Sequence, residues 1–470
     1  MKAKHGLYAI IALGIALRVY DLLTVYAVGV DGIEYIRIAE FFAQGKFGAA
    51  LKSMRVPLYP VVMTCFNLVI GNMEWAGRLA SFSLGLLLVF LCFLFAKKFW
   101  GEEAAIITAA ATAIQPYLVR YSVLVLSESS ATLFFTASVF LFYRGWVEHK
   151  SAFLCGSGVL LMLSYLTRPE YVVYFVPLTA ILIVPERRYR HAGAFLFSFF
   201  FFASMFLVWM RIDTGFWIID RRMLSWKLQT GATMPSFYYL LGSVSPLAAL
   251  KNLPFVAGHF CEAVYLPFFF LALLGISKTD KSYRKLVLVL TAVHILARSF
   301  VPYSSKRYSI EFAPMMTVFA ANGVLVFGDY LKRYRRGSLF TVLVFSAIVF
   351  LAVFMGLNDE KAVRKLEREG GLLVGNSGAK VIAARLPISA FYARAAWVDP
   401  IRTAQTAGSC EELAKAFYLE KVEYIFIDKS LERDAPLIGR CFSAAKPAVF
   451  LTYRDSYIKI YKPGACGPDP

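Results

Sequence analysis

Long apolar runs, broken by short charged clusters, fill the chain from residue 6 to 356. A helix that crosses the hydrocarbon of a bilayer needs about 20 apolar residues. That rule predicts spans near 6–27, 77–96, 103–119, 127–146, 152–166, 171–185, 192–212, 254–276, 286–302, 310–328 and 338–356, eleven in all. The division between the fifth and sixth rests on Thr167-Arg168-Pro169-Glu170. Pro169 disfavours helix in the residue before it, and two charges suit an interface better than a lipid core. The apolar stretch 57–70 is too short to cross and reads as an interfacial or re-entrant helix.

After about residue 357 the pattern shortens. Residues 358–369 are dense in charge. A strand is then predicted over 381–384 and a short helix over 387–395. Ser409 is placed to cap a helix over 410–420, with Glu412 three residues on as in a capping box. Residues 423–428 read as a buried strand. The segments 448–453 and 457–461 flank Arg454-Asp455-Ser456 and read as a hairpin. Alternating strands and helices predict a small α/β domain. The expected organisation is a polytopic α-helical membrane domain, 1–356, whose first outside loop is 28–76, followed by an extracytoplasmic α/β domain, 357–470.

Composition agrees with this class. The chain is 59% hydrophobic with only 17% charged residues, and its mean hydropathy is +0.59. Soluble domains hold about 45–50% apolar and about 25% charged residues. Met1 to His5 followed by an apolar run superficially resembles a signal peptide. Arg18 and Asp21 interrupt that run and no small-residue cleavage site closes it, so it reads as a retained first span.

The net charge of +19 would raise nucleic acid as a partner in a soluble protein. Here Lys97-Lys98, Arg187-Arg188-Tyr189-Arg190, Lys278 to Lys285 and Lys332-Arg333-Tyr334-Arg335-Arg336 fall on one side of an eleven-span chain. That side is the cytoplasm by the positive-inside rule. No nucleic-acid motif is present, and no nucleic-acid partner is expected. Arg37, Lys46, Lys52, Arg55, Arg221, Arg222, Lys306 and Arg307 fall on the other side. They suit anionic lipid headgroups or an anionic substrate such as a phosphate.

Other chemistries lack their motifs. The chain has no Walker loop, no His-Glu-x-x-His, no Cys-x-x-Cys and no Gly-x-Ser-x-Gly, and its five His lack ligand spacing. No metal site and no cofactor are expected. Cys410, Cys441 and Cys466 lie in the domain read as outside, where disulfides persist. Cys410 and Cys441 are a candidate pair, although spacing does not fix the connectivity and free small apolar residues are the alternative.

One polar island stands out: Asp31-Gly32-Ile33-Glu34-Tyr35, followed by Arg55-Val56-Pro57-Leu58-Tyr59-Pro60. Charges at a membrane surface are unfavourable enough to need a reason. Transfer from an activated lipid-phosphate sugar needs a base for the acceptor hydroxyl and cations for the leaving phosphate. Asp31 is the candidate base, with Glu34 on the same helical face. Arg55, Arg168, Lys306 and Arg307 are candidate phosphate ligands. The plain alternative is that Asp31 and Glu34 favour the first turn of a helix over 32–44.

An ordered set of motifs then resembles a known family. It comprises Asp31-x-x-Glu34-Tyr35, Arg55-x-Pro57-Leu58-Tyr59, Glu74-Trp75-Ala76-Gly77-Arg78-Leu79, Leu126-Ser127-Glu128, Leu166-Thr167-Arg168-Pro169-Glu170, Lys306-Arg307-Tyr308 and the strand at 424–428. Together they resemble the polyprenyl-phosphate-sugar-dependent GT-C glycosyltransferases, which include protein O-mannosyltransferases and lipid A aminoarabinose transferases. The resemblance implies inverting transfer at the outer face of the inner (plasma) membrane without a catalytic metal. It implies a base at Asp31, a donor-phosphate ligand at Arg55, and a cavity that includes Tyr35, Tyr59, Glu128, Glu170 and Tyr308. The implied partners are membrane lipids and a polyprenyl-phosphate sugar donor; the lack of a large outside domain inserted between the predicted spans favours a lipid-linked or envelope glycan acceptor over a protein. Val56 departs from the family's first Pro, and Asp31-Gly32 from its frequent Asp-Glu. A flippase or transporter of a lipid-linked sugar is one alternative. A glycan polymerase or ligase using a lipid diphosphate is another. Phe391, Tyr392 and Trp397 read as core aromatics of the tail domain rather than an acceptor groove.

Overall fold

The computed structural model describes residues 2–53, 55–184, 187–215, 217, 245–301, 305–332, 361–453 and 456–465. The predicted span 338–356 and the cations Arg221 and Arg222 lie outside the described residues. Contacts divide the chain into two units, one of residues 1–22 and 35–357, the other of 23–34 and 358–470.

The first unit is helical. Its opening elements are α1 (Lys2–Thr24), α2 (Val30–Ala43, which begins in the other unit), α3 (Phe47–Leu51), α4 (Leu58–Ile70), α5 (Met73–Ile114) and α6 (Pro116–Tyr121). α7 (Glu128–Val147), α8 (Ser151–Thr167), α9 (Phe175–Ile183) and α10 (Tyr189–Thr214) follow. Later helices are Pro246–Val264, Leu266–Gly275, Lys281–Ser299 and Ala313–Lys332. Among the described residues, His5–Thr24, Met73–Ile114, Tyr189–Ile212 and Lys306–Tyr330 are each long and apolar enough to cross a membrane. The chain is a polytopic α-helical membrane protein.

α5 corresponds to two predicted spans, 77–96 and 103–119. Gly101 breaks it, with φ 86°, a conformation that glycine adopts without a Cβ clash. Leu86 and Ala113 both lie within 4 Å of the Cβ position of Gly14. A straight helix would hold residues 27 positions apart at about 40 Å. The helix therefore folds back on itself at Gly101.

The predicted continuous span 254–276 is corrected by the structure. Its two helices, Pro246–Val264 and Leu266–Gly275, are bent by 93°. Pro267 lacks an N–H and its ring excludes the carbonyl four residues earlier, which is that of Ala263. That freed carbonyl accepts a 2.7 Å hydrogen bond from Gln115 Nε2, while Gln115 Oε1 caps Leu118 N at 2.6 Å. One buried amide thus satisfies two orphaned backbone groups, which makes the break tolerable in an apolar setting.

Polar side chains bind these helices together. Arg18 is fully buried and donates to the carbonyls of Gly14 and Ala113. Asp21 pairs with Arg120 at 3.0 Å. Ser138 and Ser157 exchange hydrogen bonds of 2.8 Å with each other's carbonyls across α7 and α8. Such interhelical bonds contribute about 0.6 kcal/mol each in bilayers.

The second unit holds a five-stranded sheet in the order β2-β1-β3-β5-β4. Its strands are β1 (Val381–Ala384), β2 (Ala396–Val398), β3 (Tyr424–Asp428), β4 (Val449–Tyr453) and β5 (Ser456–Tyr461). β1, β2 and β3 are parallel, and the β4–β5 hairpin is antiparallel. Alternation along β3 sends Ile425 and Ile427 to one face with Leu413 and Phe417, and Phe426 to the other with Leu366 and Val374. Helices therefore cover both faces. Ser409 caps the helix Cys410–Leu419 by accepting from Glu412 N. Glu412 reaches Gly408 N, one residue earlier than the capping box predicted. A disulfide joins Cys410 to Cys441, with Cα atoms 5.4 Å apart.

Several elements of this unit were not legible in the pattern: the helix Lys361–Asn376, strand β2 and the short helices after Asp399 and Asp428. Residues 23–34 join the unit through specific contacts. Val28 N donates to the Tyr392 hydroxyl at 3.1 Å, and Arg368 donates to the Tyr26 carbonyl at 3.0 Å. The expectation of core aromatics is corrected for Trp397, which is 42% exposed. β2 is an edge strand, with no paired strand on one flank among the described residues, and the half-exposed ring is held by a 2.7 Å bond from Nε1 to the Ala384 carbonyl.

Candidate functional site

The first unit concentrates charge where α7 begins. Glu128 lies in the first turn of that helix, where a carboxylate meets the positive end of the helix dipole. It is 1% exposed. Its Oε1 accepts from Arg168 at 2.9 Å and also from Arg307. Its Oε2 is buried and has no hydrogen-bond partner among the described residues.

Local sequence explains both arginines. Arg168 ends α8 in extended conformation (φ −153°, ψ 118°), as expected for a residue before proline. A 3-10 turn, Pro169–Tyr174, follows it. Arg307 sits in a second 3-10 turn, Lys306–Phe312, whose start Ser305 caps by accepting from Arg307 N. A third cation, Arg298, comes from the last turn of Lys281–Ser299. Glu170 lies 3.6 Å from Arg168 and 3.8 Å from Arg298. The Tyr308 ring lies under both guanidiniums, 4.1 Å from Arg298 and 5.2 Å from Arg168. In a water-poor setting, such paired and stacked charges are the arrangement that tolerates burial.

A second layer adjoins the turn before α7. The Tyr35 hydroxyl is 2.9 Å from Ser127 Oγ. Tyr35 packs edge-on against Tyr59, and Arg55 lies 5.6 Å over the Tyr35 ring. Tyr59 is anchored to α5 through the Gly77 carbonyl and Ser81 Oγ. An apolar groove of about 520 Å³ opens nearby, lined by Phe42, Pro57, Leu58, Met162, Leu166 and Trp209 among others. Leu166 and Pro57 are each two residues from a cation, Arg168 and Arg55.

The structure thus brings Glu128, Arg168, Glu170, Arg307 and Tyr308 into one cluster, with Tyr35, Tyr59 and Arg55 beside it. Lys306, in the same 3-10 turn as Arg307, lies 5.1 Å over the Tyr117 ring. Asp31 and Glu34 occupy the first turns of α2, in the stretch that groups with the second unit. Arg298 was not anticipated from the sequence, and Ser127 entered only as part of the Leu126-Ser127-Glu128 motif. The signal for Arg298 was available: it is a lone cation ending an apolar helix. Among the described residues, no three His, Cys, Asp or Glu side chains gather as a metal site.

A profile of the dolichyl-phosphate-mannose-protein mannosyltransferase family matches residues 54–210. No curated protein sequence matches the chain. Among solved structures, the chain is similar to ArnT from Cupriavidus metallidurans bound to undecaprenyl phosphate. The TM-score is 0.63 at 12% identity, covering 98% of this chain and 99% of that one. It is also similar to the Archaeoglobus fulgidus oligosaccharyltransferase, with a TM-score of 0.65 at 11% identity, over 97% of this chain and 73% of that one. A further structure of the archaeal enzyme, AglB with an inhibitory peptide and a dolichol-phosphate, matches at TM-score 0.60 and 12% identity, over 92% and 70%. The fold therefore resembles that of GT-C glycosyltransferases.

Proposed function

We propose that this chain, with its GT-C-like fold, is an integral-membrane glycosyltransferase. It moves a sugar from a polyprenyl-phosphate donor to a lipid-linked or envelope glycan at the outer face of the inner (plasma) membrane. The observation that carries the reading is the convergence of Arg168 and Arg307 on the single buried carboxylate of Glu128. A lipid phosphate entering this cluster takes over guanidinium N–H groups now held by Glu128 and Glu170. Its apolar tail suits the groove beside Leu166 and Pro57. Lipid phosphates in the ArnT and AglB structures support the same class of donor.

In the proposed reaction, the Asp31 carboxylate takes the proton of the acceptor hydroxyl. The acceptor oxygen attacks C1 of the sugar from the face opposite the phosphate. The bond from C1 to the phosphate oxygen breaks, configuration inverts, and polyprenyl phosphate leaves. Arg55, Arg168, Lys306 and Arg307 stabilise the charge that develops on it. Glu34 helps orient the acceptor, and Tyr35, Tyr59, Glu128, Glu170 and Tyr308 shape the cavity. Asp31 takes the base role from the resemblance and from its place in the polar island. The Cys410–Cys441 disulfide supports an oxidising, extracytoplasmic location for the second unit.

The test is to incubate purified protein with several polyprenyl-phosphate sugars and measure lipid-phosphate release. A requirement for soluble nucleotide sugar, with lipid donors ignored, overturns the reading. A flippase would move labelled lipid across vesicles and be indifferent to Asp31→Asn.

A further inference from the structure

Both arginines that grip Glu128 stand on or beside 3-10 turns. Such turns have poorer backbone hydrogen bonds than α-helices and rarely hold a position by themselves. Something outside the turns must fix their spacing. The helix Lys281–Ser299 touches both, twice, with side chains one helical turn apart.

The deeper contact is His294, which is 2% exposed. Its Nδ1 lies 2.7 Å from the Tyr174 hydroxyl, at the end of the Pro169–Tyr174 turn. Its Nε2 lies 2.9 Å from Ser309 Oγ, inside the Lys306–Phe312 turn. Phe312 and Phe260 pack around the ring, at centroid distances of 4.9 and 6.3 Å. The Glu311 carboxylate is 3.5 Å from the Tyr174 hydroxyl and 3.7 Å from Nδ1. The outer contact is Arg298, which meets Glu170 of the first turn and Tyr308 of the second. The two contacts form two rungs, Tyr174–His294–Ser309 and Glu170–Arg298–Tyr308.

We infer that His294 is a positioning residue for the donor-phosphate cluster, pinning the two turns that present Arg168 and Arg307. An imidazole suits this role because its two ring nitrogens bond partners on opposite sides at once. It touches neither Glu128 nor a substrate, so it acts through the turns. This inference rests on the reading of the cluster as a phosphate site.

The test uses the full-length protein in detergent, with undecaprenyl phosphate as the binding probe and amide hydrogen exchange as a second readout. His294→Phe keeps a ring and loses both bonds. It should weaken undecaprenyl phosphate binding about tenfold per folded molecule, the scale of one net buried hydrogen bond. Exchange should quicken in 169–174 and 306–312 while α7 stays protected. Tyr174→Phe should loosen the first turn, Ser309→Ala the second, and adding Tyr174→Phe to His294→Phe should change little. His294→Asn should restore protection only toward Tyr174. If His294→Phe does not fold, the two single-hydroxyl variants carry the same measurements. Unchanged exchange in both turns, or a lowered melting temperature with undiminished binding, overturns the inference. If wild type and Arg307→Ala both fail to bind the probe, the phosphate reading fails instead, and exchange still reports whether His294 pins the turns.

Discussion

Arg168 donates to Glu128 at 2.9 Å across forty residues of chain, and the accepting carboxylate is almost wholly buried. This pair fixes the end of α8 against the start of α7 and sets the charge balance of the candidate site. Glu128→Ala leaves Arg168 and Arg307 without that carboxylate. Removal of one partner of a buried pair usually destabilises by about 3–5 kcal/mol. We expect a large fall in melting temperature, with Glu128→Gln losing less because its amide oxygen still accepts. Thermal unfolding in detergent checks both variants.

Helix packing provides a sharper steric prediction. A Cβ on Gly323 would lie 1.9 Å from the Leu271 carbonyl oxygen, and one on Gly275 would lie 2.0 Å from that of Phe319. These are backbone atoms and cannot swing aside. Gly323→Leu should prevent recovery of folded protein, and Gly323→Ala should destabilise by about 1–3 kcal/mol or more. Size-exclusion profiles and melting curves report the outcome.

The proposed base is tested by an isosteric change. Asp31→Asn should lower kcat by about 10²-fold or more, the scale of a lost general base, and should retain undecaprenyl phosphate binding. Glu34→Gln should cost less. Wild-type turnover in Asp31→Asn would remove Asp31 from the base role.

The disulfide closes a loop of 31 residues. Chain-entropy arguments assign such a link about 3–4 kcal/mol. Cys410→Ser or mild reduction should therefore lower the unfolding temperature of the second unit. Limited proteolysis should then cut first between residues 410 and 441.

Asp428 supplies a pH dependence. Burial raises its carboxyl above the usual value, opposed by the bond it accepts from Leu431 N and by Arg385. A raised folded value means that this group favours the fold most when protonated. Its contribution is fully present below the unfolded value near 3.9 and is lost as pH rises through the folded value. Asp428→Asn can still cap the following helix and carries no charge. It should flatten that part of the stability profile and stabilise the unit slightly at neutral pH. Melting temperatures from pH 4 to 7 for both proteins check the sign.

The sequence by itself determined much of this protein. Uninterrupted apolar runs specify membrane helices because no polar alternative can satisfy a backbone in lipid. Alternation at 424–428 and the Ser409 cap specified the core strand and a helix of the α/β unit, because side-chain period and capping are local. The ordered motifs located Glu128, Arg168, Glu170, Arg307 and Tyr308 as chemistry worth attention. What sequence could not decide was which of these meet. Arg168 and Arg307 are far apart in the chain and could each have faced lipid headgroups; only packing of α7, α8 and the two 3-10 turns puts both on one carboxylate. The 93° break at Tyr265 was hidden for a similar reason. Pro267 weakens a helix locally, but whether the chain bends there depends on a partner for the freed carbonyl, and Gln115 comes from about 150 residues away. His294 was equally silent: a lone histidine in an apolar helix means little until its two nitrogens find Tyr174 and Ser309. Periodicity and caps are properties of neighbours in sequence, whereas convergence of charges is a property of neighbours in space.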